Sequence, residues 1–155
     1  MNIRDMGYGM WNVGWEIKDK EWSGGTKSLV EKVSKSYKDL EIYQSAHSLG
    51  ITIHQFSLNL PKFEHYETAS KLRRSSKSIS ANIVEGFGWR RSKAEFIRFL
   101  VFAHASCNET IEWIEYIRNC HPDFRESAEN ILDKLDELGR KLNNFIRAVE
   151  RDHKS

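Results

Sequence analysis

The stretch that decides the fold is Tyr66–Ser106, YETASKLRRSSKSISANIVEGFGWRRSKAEFIRFLVFAHAS. Ala69, Leu72, Ser76, Ile79 and Ile83 recur at spacings of three and four. A helix over about Glu64–Val84 puts them on one inner stripe. Gly86 stands where a helix commonly stops in a left-handed residue. Ser92-Lys93-Ala94-Glu95 then reads as a capping box, in which the serine oxygen accepts an amide and the glutamate reaches back, so a second helix opens there. Ser75, Ser76, Ser78, Ser80 and Ala81 include mediocre helix formers, but they are small enough to let another helix approach closely.

Working outward, Ile42, Tyr43, Ala46, Leu49, Ile53, Phe56 and Leu60 define a helix over Asp39–Leu60, which Pro61 closes by pushing the preceding residue out of the α region. Leu40, His47, Ile51 and Leu58 recur on a different face of it, which is more apolar surface than one core needs. The helix opening at Ser92 continues to about Cys120 on Phe96, Phe99, Leu100, Ala103, Cys107, Ile111, Ile114 and Ile117. Phe102, Trp113 and Tyr116 occupy a neighbouring face. After the break at His121-Pro122-Asp123, a last helix to about Glu150 carries Phe124, Ala128, Ile131, Leu135, Leu138, Leu142, Phe145 and Val149 on a single stripe. The expected fold is all-α, an antiparallel up-and-down four-helix bundle over residues 37–153. Residues 1–36 hold Trp11, Trp15 and Trp22 and five of the nine glycines without a sustained period. They are expected to form a loosely ordered N-terminal extension.

The composition narrows the function. A chain of 155 residues with 39% hydrophobic content supports one real core. No apolar run approaches the ~18–20 residues of a membrane span, and the N-terminus lacks a basic segment leading into an apolar one, so a cytoplasmic protein is expected. Cys107 and Cys120 sit nearly four turns apart on one helix, too far for a disulfide. The histidines form no His-Glu-x-x-His pattern and the cysteines no paired spacing, so neither a metal nor a cofactor is expected. No nucleophile is accompanied by a recognisable base and orienting group, and no catalytic residue is assigned. Gly86-Phe87-Gly88 follows a helix rather than a strand, which fails the context of a nucleotide-binding glycine loop.

Charge is unevenly placed. The net charge is +2, yet residues 62–98 alone carry nine Lys/Arg against four Glu. Arg74 and Lys77 fall opposite the inner stripe of their helix, flanked by Lys71 and Arg73, so the four are expected to point outward together. Arg90, Arg91 and Lys93 lie beside Trp89 just before the next helix, whose free amides and dipole favour an anion, and Arg98 follows on its first turns. Trp89 and Phe87 could stack on unpaired bases. Glu85, one residue before Gly86, is expected to answer Arg73 or Arg90, and Asn82 to satisfy backbone groups near the helix end or across a subunit contact.

Leu72-Arg73-Arg74, Ser78-Ile79, Asn82-Ile83, Glu85-Gly86, Phe96, Phe99-Leu100, Ala103, Ala105-Ser106 and Glu109 come in one order, preceded by Leu40-Glu41-Ile42-Tyr43-Gln44 and Leu60-Pro61-Lys62. This pattern resembles the 23S rRNA intervening sequence family of four-helix bundle proteins over about residues 37–150. The resemblance implies a cytoplasmic bacterial protein, often encoded inside an insertion in the large ribosomal RNA gene and assembling as a homopentamer. A relative, the accessory variability determinant of diversity-generating retroelements, binds nucleic acid and a reverse transcriptase. The expectation is therefore a non-enzymatic oligomer that binds RNA or DNA through phosphate contacts from Lys71, Arg73, Arg74, Lys77, Arg90, Arg91, Lys93 and Arg98, with Trp89 beside them. Leu40, His47, Ile51, Leu58, Phe102, Trp113 and Tyr116 would line the contact between copies. The alternative is a protein-interaction scaffold, or an accessory factor for a reverse transcriptase or a ribosomal partner.

Overall fold

The computed structural model describes residues 35–152. Four α-helices follow one another: α1 Glu41–Leu58, α2 Thr68–Gly88, α3 Lys93–Cys120 and α4 Arg125–Asp152. Each packs against the next, and α4 returns to α1, which closes an up-and-down bundle. At ~1.5 Å per residue, the 28-residue α3 and α4 are about 42 Å long. The expected extension, residues 1–36, lies almost wholly outside the described residues.

Leucines, isoleucines and phenylalanines of the inner stripes form one continuous core. Phe96 meets Phe145 edge to face at 6.1 Å, and Phe56 meets Phe124 in the same way at 5.9 Å, the geometry that aromatic quadrupoles favour. Cys107 is fully buried among them. No helix among the described residues is long and apolar enough to cross a membrane.

Several helix boundaries differ from the sequence reading. α1 ends at Leu58, with Asn59 as its cap. Residues Lys62–Tyr66 form a 3-10 turn led by Pro61 rather than the first turn of α2. Here Glu64 reaches across to His121, with its Oε1 2.9 Å from Nε2, and the His65 ring lies 2.8 Å from the Leu60 carbonyl. The first contact holds the turn against the loop between α3 and α4, and the second ties it to the residues that follow α1.

At its other end α2 continues through Gly86 to Gly88, so Gly86 is an interior helical residue and not a left-handed stop. Its role is steric. A Cβ there would lie 2.8 Å from Phe99 Cβ and 3.3 Å from Phe96 Cδ2, so the missing side chain is what lets α3 lie close to α2.

The serines beside it serve the same contact. The Ser75 and Thr110 hydroxyls lie 3.0 Å apart, and the Ser106 hydroxyl donates to Ser78 Oγ at 3.0 Å, so α2 and α3 are pinned in register by paired hydroxyl groups. Asn82 donates to the carbonyl and the hydroxyl of Ser78 one turn back. Ser92 caps α3 by accepting the Glu95 amide at 3.5 Å. The Glu95 carboxylate turns instead to Arg98.

Candidate nucleic-acid interface

Helix α2 carries Lys71, Arg73, Arg74 and Lys77 but only one acid, Glu85. Successive residues turn ~100° about a helix axis, so neighbouring cations in sequence need not share a face. Arg74 and Lys77 are exposed on the outer side, and among the described residues neither side chain makes an ion pair or hydrogen bond. Lys71 is also exposed, with its Nζ 4.9 Å above the Trp113 ring.

Arg73 departs from the expected outward group. Its guanidinium donates to Ser57 Oγ at 3.3 Å and to the His65 carbonyl at 3.0 Å, which ties α2 to the end of α1 and to the 3-10 turn. Arg73 therefore braces the fold rather than facing solvent. Glu85 has neither of its expected partners, because Arg73 is occupied there and Arg90 elsewhere.

The α2–α3 loop divides in the same way. Arg90 donates to the Phe87 carbonyl at 2.9 Å and lies 4.2 Å over the Phe87 ring, with its Nε buried. Lys93 donates to the Glu150 carbonyl at 2.7 Å, linking the start of α3 to the end of α4. Arg98 pairs with Glu95 and lies 5.6 Å from the Phe99 and Phe102 rings. Arg91 is exposed and unpaired among the described residues. Trp89 is 55% exposed, whereas Phe87 is only 6% exposed and packs in the core. Phe87 is thus unavailable to stack on a base, while Trp89 is open to one.

The residues expected at a contact between copies separate into three places. Leu40 is 4% exposed and belongs to the core of its own chain, because it precedes α1 rather than lying on its outer stripe. His47, Ile51 and Leu58 are exposed along the outside of α1. Phe102, Trp113 and Tyr116 lie on α3 beside α2, with Trp113 and Tyr116 stacked at 5.9 Å.

Exposed rings that the sequence reading did not single out are Phe63 and Tyr66 on the 3-10 turn. They are three residues apart, but the turn that carries them is separate from α2, so that spacing continues no buried stripe.

The charge pattern therefore sorts itself by contact. Arg73, Arg90 and Lys93 hold the bundle together. Lys71, Arg74, Lys77 and Arg91 remain turned to solvent, where they can meet an anion without breaking any ion pair within the described residues.

No curated protein matches the chain. Among solved structures it is similar to a protein with unknown function from the S23 ribosomal protein family of Bacteroides thetaiotaomicron, at 26% identity, covering 68% of this chain and 95% of that one, with a TM-score of 0.63. The family model for the 23S rRNA-intervening sequence protein matches residues 38–144, which span all of α1, α2 and α3 and most of α4, and the chain belongs to that family.

Proposed function

We propose that this protein is a non-enzymatic, cytoplasmic, nucleic-acid-binding bundle that contacts the phosphates of RNA or DNA and works as a homo-oligomer. The single observation that carries the reading is the outward row of Lys71, Arg74 and Lys77 on a helix with one acid, free of ion pairs among the described residues. A cation already paired with a carboxylate must give up that partner to bind a phosphate, and these need not. Arg91 extends the row at the loop. Self-association through His47, Ile51 and Leu58 on the outside of α1 would cover apolar surface and repeat the basic row in every copy. A pentamer is the number the family resemblance implies.

The test is titration of labelled RNA and DNA at ~50 and ~200 mM salt. Three phosphate contacts on a single strand, at a slope of ~0.7 each, give about a twentyfold loss of affinity per chain across that range. Arg74→Glu with Lys77→Glu removes binding while leaving the melting temperature unchanged. Arg73→Ala lowers the melting temperature and leaves binding near wild type at temperatures where the protein stays folded. No binding at the lower salt would sink the reading. It would leave the scaffold alternative, which the exposed Leu58, Phe63 and Tyr66 favour, with a polymerase or ribosomal protein as partner.

A further inference from the structure

The outward face shared by α2 and α3 holds more than charge. The antiparallel register sets Lys71 against Trp113, Ser78 against Ser106 and Gly86 against Phe99. Near one end, Trp113 and Tyr116 are stacked with their planes inclined by only 29°, and Tyr116 is 52% exposed. Lys71 lies over the Trp113 ring and Arg74 is one turn along. Near the other end, Phe102 is 44% exposed and Arg98 lies against it. The two rings Phe102 and Trp113 are eleven residues apart on α3, about 16 Å at 1.5 Å per residue. Between them the surface is lined by the short side chains of Ser78 and Ser106 and by the exposed Glu109, whose Oε1 accepts from the Trp113 indole Nε1 at 3.2 Å.

A stack of two rings with an open outer side is extended by a third flat ring. Lys71 and Arg74, beside the Trp113–Tyr116 pair, supply counter-charge for the backbone that carries that ring, whereas Arg98 beside Phe102 is already paired with Glu95. A duplex keeps its bases paired and turned inward, so it can offer this face phosphates but no free base.

We propose that the α2–α3 face is a site for unpaired nucleotides, with one base stacking on the Trp113–Tyr116 pair and another on Phe102. The phosphates between them would be met by Lys71 and Arg74. This rests on the nucleic-acid reading above and names its substrate as single strands. Polyanion chemistry is favoured over a second copy of the chain, because Lys71 and Arg74 make no ion pair among the described residues and a self-contact here would bury them. A nucleic acid neutralises both.

The experiment compares a labelled single-stranded oligonucleotide and a duplex of the same length, at low salt, on the full chain and on Tyr116→Ala and Phe102→Ala. Both residues are about half exposed, so the variants fold. Each is expected to weaken single-strand binding about five- to a hundredfold and duplex binding less than twofold. Tyr116→Phe keeps single-strand affinity. Equal losses on both probes, or no loss on either, overturn the proposal while leaving the phosphate-contact reading intact. An unchanged affinity with a lower particle mass for Tyr116→Ala by light scattering overturns it in favour of a self-contact. If the unaltered chain binds neither probe, both readings fall together.

Discussion

Replacing Gly86 with alanine is the sharpest probe of how α2 and α3 meet. The added methyl would lie 2.8 Å from Phe99 Cβ, 3.3 Å from Phe96 Cδ2 and 3.5 Å from the Phe96 carbonyl. Carbon atoms rest at ~3.5–4.0 Å, so the overlap with Phe99 approaches 1 Å. Phe99 Cβ is bonded directly to the α3 backbone, and no change of rotamer moves it. The helices must part instead, which costs about 1–3 kcal/mol as overpacking. The separation also lengthens the 3.0 Å hydroxyl contacts at Ser78–Ser106 and Ser75–Thr110, each worth about 1 kcal/mol. Against this stands a gain of about 0.8–1 kcal/mol from replacing a helical glycine by alanine. The net expectation is a loss of about 1–3 kcal/mol.

Gly50 provides the control, since a methyl there meets only the Ser76 carbonyl, at an ordinary 3.7 Å. Gly50→Ala should gain about 0.5–1 kcal/mol by the same propensity argument. The two variants should then differ by roughly 1.5–4 kcal/mol, or about 6–16 °C in melting temperature for a domain of this size. Thermal melts followed by circular dichroism at one fixed protein concentration measure it. If Gly86→Ala melts at or above the wild type, the close approach is not what the glycine is for.

Two further outcomes concern groups that titrate. Burial, and next the negative charge of Asp136, push the Cys107 thiol up to about 11, whereas Cys120 is exposed. A thiol reagent at about pH 8 should modify one cysteine quickly and the second only on unfolding; equal rates in the native protein would contradict the buried placement. Glu64 is held below its ordinary carboxylate range, first by the Thr68 hydroxyl and then by His121. Because its folded value is depressed, its contribution is complete above the unfolded value near pH 4.3 and disappears as the pH falls through the folded one. Glu64→Gln should therefore flatten the decline in melting temperature between about pH 5 and pH 3, and an unaltered slope would show that the carboxylate contributes nothing there.

The inner stripes were legible because burial follows a period that the sequence writes directly. The residues at Ala69, Leu72, Ile79 and Ile83, and those at Ala128, Leu135 and Leu142, are all in the core. What could not be read depends on a neighbour from elsewhere in the chain. A glycine that ends a helix and a glycine that admits a phenylalanine look alike until Phe99 is in place. Arg73 and Arg74 are equivalent as letters, and only the position of Ser57 and the His65 carbonyl separates the brace from the free cation. Phe87 sits among glycines and cations, and its burial is decided by Arg90 folding over it and Tyr37 packing at 6.4 Å. Leu40 matched the outer stripe of α1 in spacing, but the helix begins one residue later, so the periodicity did not apply to it.

Where the first helix meets the last, the joint is of another kind. Lys141 reaches Glu41 at 2.7 Å and Glu137 at 2.8 Å, above a groove lined by Ser45, Ser48, Thr52 and Lys134 along with Leu49 and Leu138. A seam fastened in part by a water-accessible ion pair opens more readily than one closed by packed apolar side chains alone. Because α1 keeps Ile42, Leu49, Ile53 and Phe56 in the core, the opening is local to this seam, and amides near Ser45, Ser48 and Thr52 should exchange with solvent ahead of those along the α2–α3 contact.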